Sequence, residues 1–201
     1  MQHDLEVEEE GRRGQLQAHL DTVLVGGTEK RPIEIVAWRP TWAEDFERQH
    51  AVISRALGAR ASRIEHVGST AVPDLAAKPI IDILVAVADP EEEEVYEPSL
   101  TEAGYLIRVR EPGHRMFRTP QRDVHLHIWA HGSEDERRHL LFRDFLRRSE
   151  ADRQLYEITK RRLARRDWSD MNFYADAKNG VIAEIMARAE AWAAKEGWKL
   201  P

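Results

Sequence analysis

The chain has 201 residues and a formal net charge of −6, with 30 Lys and Arg set against 36 Asp and Glu. That length supports one core of ordinary size, and the mildly acidic balance excludes a protein whose main task is coating nucleic acid. It contains no cysteine, which excludes disulfides and thiolate-bound zinc.

Residues 1–30 read as a partly ordered arm, with a contact between copies of the chain as the alternative, leaving homo-oligomerisation open. Leu16, Leu20, Val23 and Leu24 share one helical face, ended by Gly26-Gly27. Met1 to Glu10 is acidic where a secretory leader would be basic and then apolar. No apolar run approaches the roughly 20 residues that cross a bilayer, so the expectation is a cytoplasmic protein with no membrane partner. Ile33 to Val36 reads as a short strand and Trp38-Arg39-Pro40 as a turn. Thr41 and Glu44 have capping-box spacing, opening a helix to Leu57 that turns Trp42, Phe46, Ile53 and Leu57 inward.

Arg63 to Val67 is a strand candidate, 68–79 a loop with Pro73 and Pro79, and Ile80 to Ala88 a buried strand. Asp89-Pro90 opens a helix whose acidic run, Glu91 to Glu94, suits the helix dipole and reads as solvated. Tyr105 to Val109, Arg115 to Thr119 and Asp123 to Trp129 are strands joined by short links, hence antiparallel neighbours. From Ser133 the pattern is helical. Ser133 with Glu136 forms a capping box ahead of Leu140, Leu141, Phe145 and Leu146; a second helix carries Leu155, Ile158 and Leu163. Ser169 or Asp170 caps a third, with Phe173, Val181, Ile182, Ile185, Met186 and Trp192 spaced for burial. The predicted fold is α/β (α+β): a small mixed sheet with flanking helices over residues 31–132, then a three-helix bundle over 133–201.

Asp82 lies inside the apolar run Ile80 to Val85, and an acid there is costly unless paired, hydrogen-bonded or holding a metal. Ahead of it, Gly68 lets backbone amides approach an anion, with the hydroxyls of Ser69 and Thr70 beside it. His125 and His127 alternate onto one face of their strand, with Asp123 on the same side. If that strand adjoins Asp82, an Asp-His-His cluster forms, whose imidazoles favour zinc or manganese over magnesium. The ordinary alternative is a hydrogen-bonded histidine pair. Glu65, His66 and Asp123 are expected to support the cluster. Lys78, Arg115, Arg118 and the i, i+4 pair Tyr174 and Lys178 are the candidate anion binders.

A Gly-Ser turn, a spacer and then an acid on an apolar strand is similar to the signature of the polymerase-β-type nucleotidyltransferase superfamily. That resemblance implies phosphates at the turn and divalent metal held by two acids one residue apart. Here the second position is Leu84. The stretch from Ile33 to about Ala189 more closely resembles the GrpB family, of nucleotidyltransferase-like fold. The resemblance rests on Pro40-x-Trp42, Glu65-His66-Val67-Gly68-Ser69-Thr70-Ala71-Val72-Pro73, Leu75-Ala76-Ala77-Lys78-Pro79 and Ile81-Asp82-Ile83. His125-Leu126-His127, Phe142-Arg143-Asp144 and Tyr174-x-x-Ala177-Lys178 match too. Such domains also occur fused to dephospho-CoA kinases. The resemblance implies a nucleotide or phosphorylated small molecule bound with a divalent metal (Mg, Mn or Zn), and nucleotidyl transfer as the reaction. Two alternatives remain open: a nucleotide-binding or regulatory module that has lost catalysis, as Leu84 suggests, and a metal-dependent hydrolase using Asp82, His125 and His127.

Overall fold

A computed structural model describes residues 2–201, with side chains described from residue 10 onward. Five strands form one sheet in the order β1-β2-β5-β4-β3: β1 (Arg63–Val67), β2 (Ile81–Val87), β3 (Leu106–Glu111), β4 (His114–Arg118) and β5 (Val124–Ala130). β2 and β5 run parallel and the other pairs antiparallel, so the sheet is mixed, as expected. The parallel pair needs a long crossover, and the β3–β4 hairpin lies inside that crossover. It therefore pairs with β5 on the side away from β2.

Alternation gives the sheet two different faces. Ile81, Ile83, Val85, Phe117, Leu126 and Ile128 point to one face. There they pack on Trp42, Ile53 and Leu57 of α2 (Thr41–Leu57) and on Tyr96 and Leu100 of α3 (Glu93–Glu102). The opposite face presents Val67, Leu84 and Ala86 to Leu140 of α4 (Glu134–Arg148). Around α4 gather α5 (Glu150–Ala164) and α7 (Asn179–Glu196), joined through Leu141, Phe145, Tyr156, Ile185 and Met186. These three helices are the expected bundle. They cover only part of the second face and leave its Asp82 end open to a cavity.

Several local expectations need correction. Thr41 is the first helical residue of α2 rather than its cap, and no side chain caps that end. Ser133 does cap α4, but Glu136 reaches back to the amide of Gly132 instead of the cap's own. Ile33 to Val36 forms no strand beyond one bridge, Val36 with Ala77. The third helix is broken into α6 (Met171–Asp176), capped by Asp170, and α7. The N-terminal arm is a helix, α1 (Gln2–Val23), with Leu20 and Val23 buried, and Leu24 bridges Val109 of β3.

On α5 the apolar residues do not mark the buried face: Ile158 is 66% exposed, and the buried positions are Asp152, Tyr156, Thr159, Lys160 and Leu163. These follow helical spacing well, but their polar content hides the stripe from any rule that follows apolar residues.

Candidate functional site

At Gly68 the chain leaves β1 with φ +68°, a left-handed conformation that favours glycine. A Cβ here would overlap the Asp82 carboxylate and lie 3.0 Å from the Asp82 Cβ. The absent side chain is thus what lets the turn close over Asp82. Thr70 secures the loop from behind: its hydroxyl donates to Ile80 O at 3.1 Å and lies 3.0 Å from His66 Nε2. Burial of His66 beside that hydroxyl, stacked on Phe46, pushes its pKa down to about 4. His66 therefore holds the loop and stays out of the cavity lining, whereas Thr70 both holds the loop and lines the cavity beside Ser69.

The β2–β5 register sets Asp82 opposite His125 and Leu84 opposite His127, so one carboxylate and two imidazoles share a face. Asp82 Oδ1 lies 3.4 Å from His125 Nδ1 and 3.7 Å from His127 Nε2. One ligand atom from each of the three residues lies within 4.8 Å of the others. Desolvation opposes ionisation of Asp82, but hydrogen bonding and charge from the two imidazoles outweigh it and hold the carboxyl well below its usual range. Behind His127, His114 Nε2 lies 3.2 Å from His127 Nδ1, and its ring stacks on Trp129 at 4.0 Å. This fixes the imidazole and turns Nε2 toward Asp82, as an outer partner does for a metal-bound histidine.

In front of the triad is a cavity of about 730 Å³. Three lysines line it. Lys78 and Lys178 place their ammonium groups 5.4 and 5.0 Å from the Tyr174 ring centre. Lys160 is 3% exposed; its Nζ donates to Ser69 Oγ at 2.9 Å and to Ala76 O. Burial, then the neighbouring Lys178, lowers Lys78 to about 8 and Lys160 to about 7. Lys78 and Lys178, joined by Lys160 when it is protonated, make this end of the cavity a place for an anion.

Some expected residues lie elsewhere. Arg115 projects to the other face of the sheet, opposite Ile128, where Glu91 and Glu93 hold it; Glu92 and Glu94 of the same acidic run are exposed, as expected of a solvated helix start. Asp123, at the end of β5, is exposed and accepts the Thr119 hydroxyl at 2.6 Å, apart from the triad. Glu65 pairs with Arg143 at 2.7 Å and braces β1 against α4. Asp82, His125, His127, Gly68, Ser69, Thr70, Lys78, Tyr174 and Lys178 all line the one cavity. Lys160 and Tyr156, which also line it, were not anticipated. A lysine four residues after a tyrosine on the buried stripe of α5 was the available signal.

The Lys160 shift has a consequence for stability. Its folded pKa of about 7 lies below its ordinary value of 10.5, so the unfolded chain binds the extra proton between those limits. The resulting destabilisation is fully present below about pH 7 and is relieved as pH climbs toward 10.5. Wild type should therefore gain stability relative to Lys160→Met across that interval, measured by urea denaturation; a pH-independent difference contradicts the assignment.

The side chains fit a single divalent ion of the transition series. Two imidazoles and one carboxylate are its usual donors, and His114 braces one ligand. They do not fit two magnesium ions, which require more oxygen ligands than Asp82 supplies beside Leu84.

The family model described as GrpB protein matches residues 32–188. A UPF0157 protein of Streptomyces coelicolor is 51% identical over 84% of this chain and 90% of its own length. A dephospho-CoA kinase of Mycobacterium leprae is 30% identical over 84% of this chain, which spans 49% of that enzyme. The crystal structure of the conserved protein GrpB from Enterococcus faecalis aligns with TM-score 0.70 and 32% identity, covering 79% of this chain and 99% of the other. From a family match over most of its length and a solved relative of the same fold, the chain belongs to the GrpB family.

Proposed function

We propose that this protein binds a nucleotide or another phosphorylated small molecule in front of Asp82, together with one divalent transition-metal ion, and transfers the phosphate-bearing group. The observation that carries this reading is the meeting of Asp82, His125 and His127 with Lys78, Lys160 and Lys178 around one cavity. Asp82, His125 and His127 would hold the metal, which when bound polarises a phosphate oxygen as a Lewis acid. The lysine ammoniums face the negative charge that builds on phosphoryl oxygens as the phosphorus–oxygen bond breaks. Lys160, with a pKa of about 7, can hold or release a proton at Nζ near neutral pH, next to Ser69 Oγ. Gly68 and Ser69 form the turn against which the phosphate rests.

Leu84 favours a second reading for the acceptor. A single bound ion would suffice to activate water as the acceptor, by lowering the pKa of that water, with no second acid required. Isothermal titration with Zn²⁺, Mn²⁺ and Mg²⁺, followed by nucleoside triphosphates, separates these possibilities. The expected result is tight Zn²⁺ or Mn²⁺ binding, weak Mg²⁺ binding, and metal-dependent nucleotide binding with release of phosphate or pyrophosphate. Binding without turnover would leave a regulatory module. A protein that takes up no transition metal would end the proposal.

A further inference from the structure

The far end of the cavity carries more positive charge than the triad and its lysines account for. Arg118 sits opposite His125 in the β4–β5 register, one strand beyond the triad and about 5 Å away across the sheet. Its guanidinium donates to both oxygens of Glu29, at 2.7 and 3.0 Å, and Arg122 Nη1 lies 3.2 Å from the same carboxylate. Arg108 acts on Glu29 through its charge but donates its own hydrogen bonds to the carbonyls of Val25 and Gly27. Asp170, the other carboxylate facing Arg108, accepts from the amides of Glu29 and Asn172. Three guanidiniums thus meet two carboxylates in the cavity wall, and one of those carboxylates is tied to backbone amides.

Two-pronged pairing of guanidinium with carboxylate is also how arginine takes a phosphate or carboxylate ligand. Glu29 therefore occupies Arg118 as a ligand anion would. Glu29 lies outside the matched family region, residues 32–188, on the segment that links α1 to the body. Gly26 and Gly27 precede it at φ +86° and +72°, two adjacent left-handed positions where the backbone can pivot.

We propose that Arg118 and Arg122 form a second anion subsite, for the far phosphate or carboxylate of a doubly anionic substrate, and that Glu29 fills it until substrate arrives. This rests on the proposed phosphate site beside Asp82. The substrate class is then a compound with acidic groups at both ends, one at the lysines and one at the arginines.

Isothermal titration of the metal-loaded protein with propyl phosphate, 4-phosphobutyrate and propane-1,3-diyl bisphosphate tests it. The two doubly anionic probes should bind about tenfold more tightly than propyl phosphate, the usual effect of one added charge-assisted hydrogen-bonded pair. Arg118→Gln should remove that preference without weakening propyl phosphate. Glu29→Gln should strengthen both doubly anionic probes, a gain that misfolding cannot produce. Comparing 4-phosphobutyrate with the bisphosphate shows whether the far group is carboxylate or phosphate. Equal affinity for all three probes in wild type, or an Arg118→Gln loss shared equally by all three, overturns the subsite. Failure of propyl phosphate to bind, with Arg118-dependent binding of the other two, would instead overturn the site at Asp82 and leave this one standing.

Discussion

Asp82→Asn is expected to lower transition-metal affinity by at least the order of a hundredfold, the upper range seen when only an outer-shell partner is lost. Asn is nearly isosteric, so the geometry of the Gly68 turn should survive; what disappears is the anion that His125 and His127 face at 3.4 and 3.7 Å. Any phosphate-transfer activity should fall with the metal, since Leu84 offers no second acid to take over. Elemental analysis after metal loading and dialysis gives the answer directly. If the variant retained a full equivalent of metal at wild-type affinity, the triad would be no more than a hydrogen-bonded cluster. His114→Ala serves as a graded comparison: it removes the brace on His127 Nδ1 but no ligand, and should weaken metal binding by roughly tenfold.

The second large effect is expected at Gly68. Alanine there is strained by the left-handed backbone, at a cost of about 1–3 kcal/mol, before any contact is considered. Its Cβ would also overlap the Asp82 carboxylate, which has little room to retreat because β2 is a central strand held on both sides. Together these should destabilise the fold by about 2–4 kcal/mol and displace the carboxylate from the imidazoles. Urea denaturation and metal titration of Gly68→Ala read the two consequences separately. Wild-type stability together with wild-type metal affinity would show that the turn and the acid are not coupled. A loss of stability alone would confine Gly68 to a folding role.

Much of the architecture was legible in the residues. All five strands and the helices α2 and α4 follow from runs whose period is local, 2 or 3.6 residues, and which the chain carries without reference to distant segments. The conflict at Asp82 was legible for the same reason, because an acid in Ile80 to Val85 is at odds with its immediate surroundings. The pairing of His125 with His127 came from alternation within one strand.

Position across strands was decided by the tertiary structure. Whether Arg115 or Arg118 meets the cavity depends on the β4–β5 register, and a one-residue difference sends a side chain to the opposite face. Asp123 shares parity with His125, yet it lies at the strand end, where Thr119 takes it. Lys160 could not be found by following apolar residues, because the buried stripe of α5 is largely polar and only Tyr156 and Lys160 of it reach the cavity. The arm on β3 and the placement of Glu29 depend on contacts with residues about 90 positions away, such as Arg118, which no local pattern encodes. The sequence by itself determined the five strands, α2, α4 and the identity of the acid in the apolar strand, since these are set by neighbours along the chain. Which side chains surround that acid depended on register and helix packing, because those free energies are sums over residues that meet only after folding.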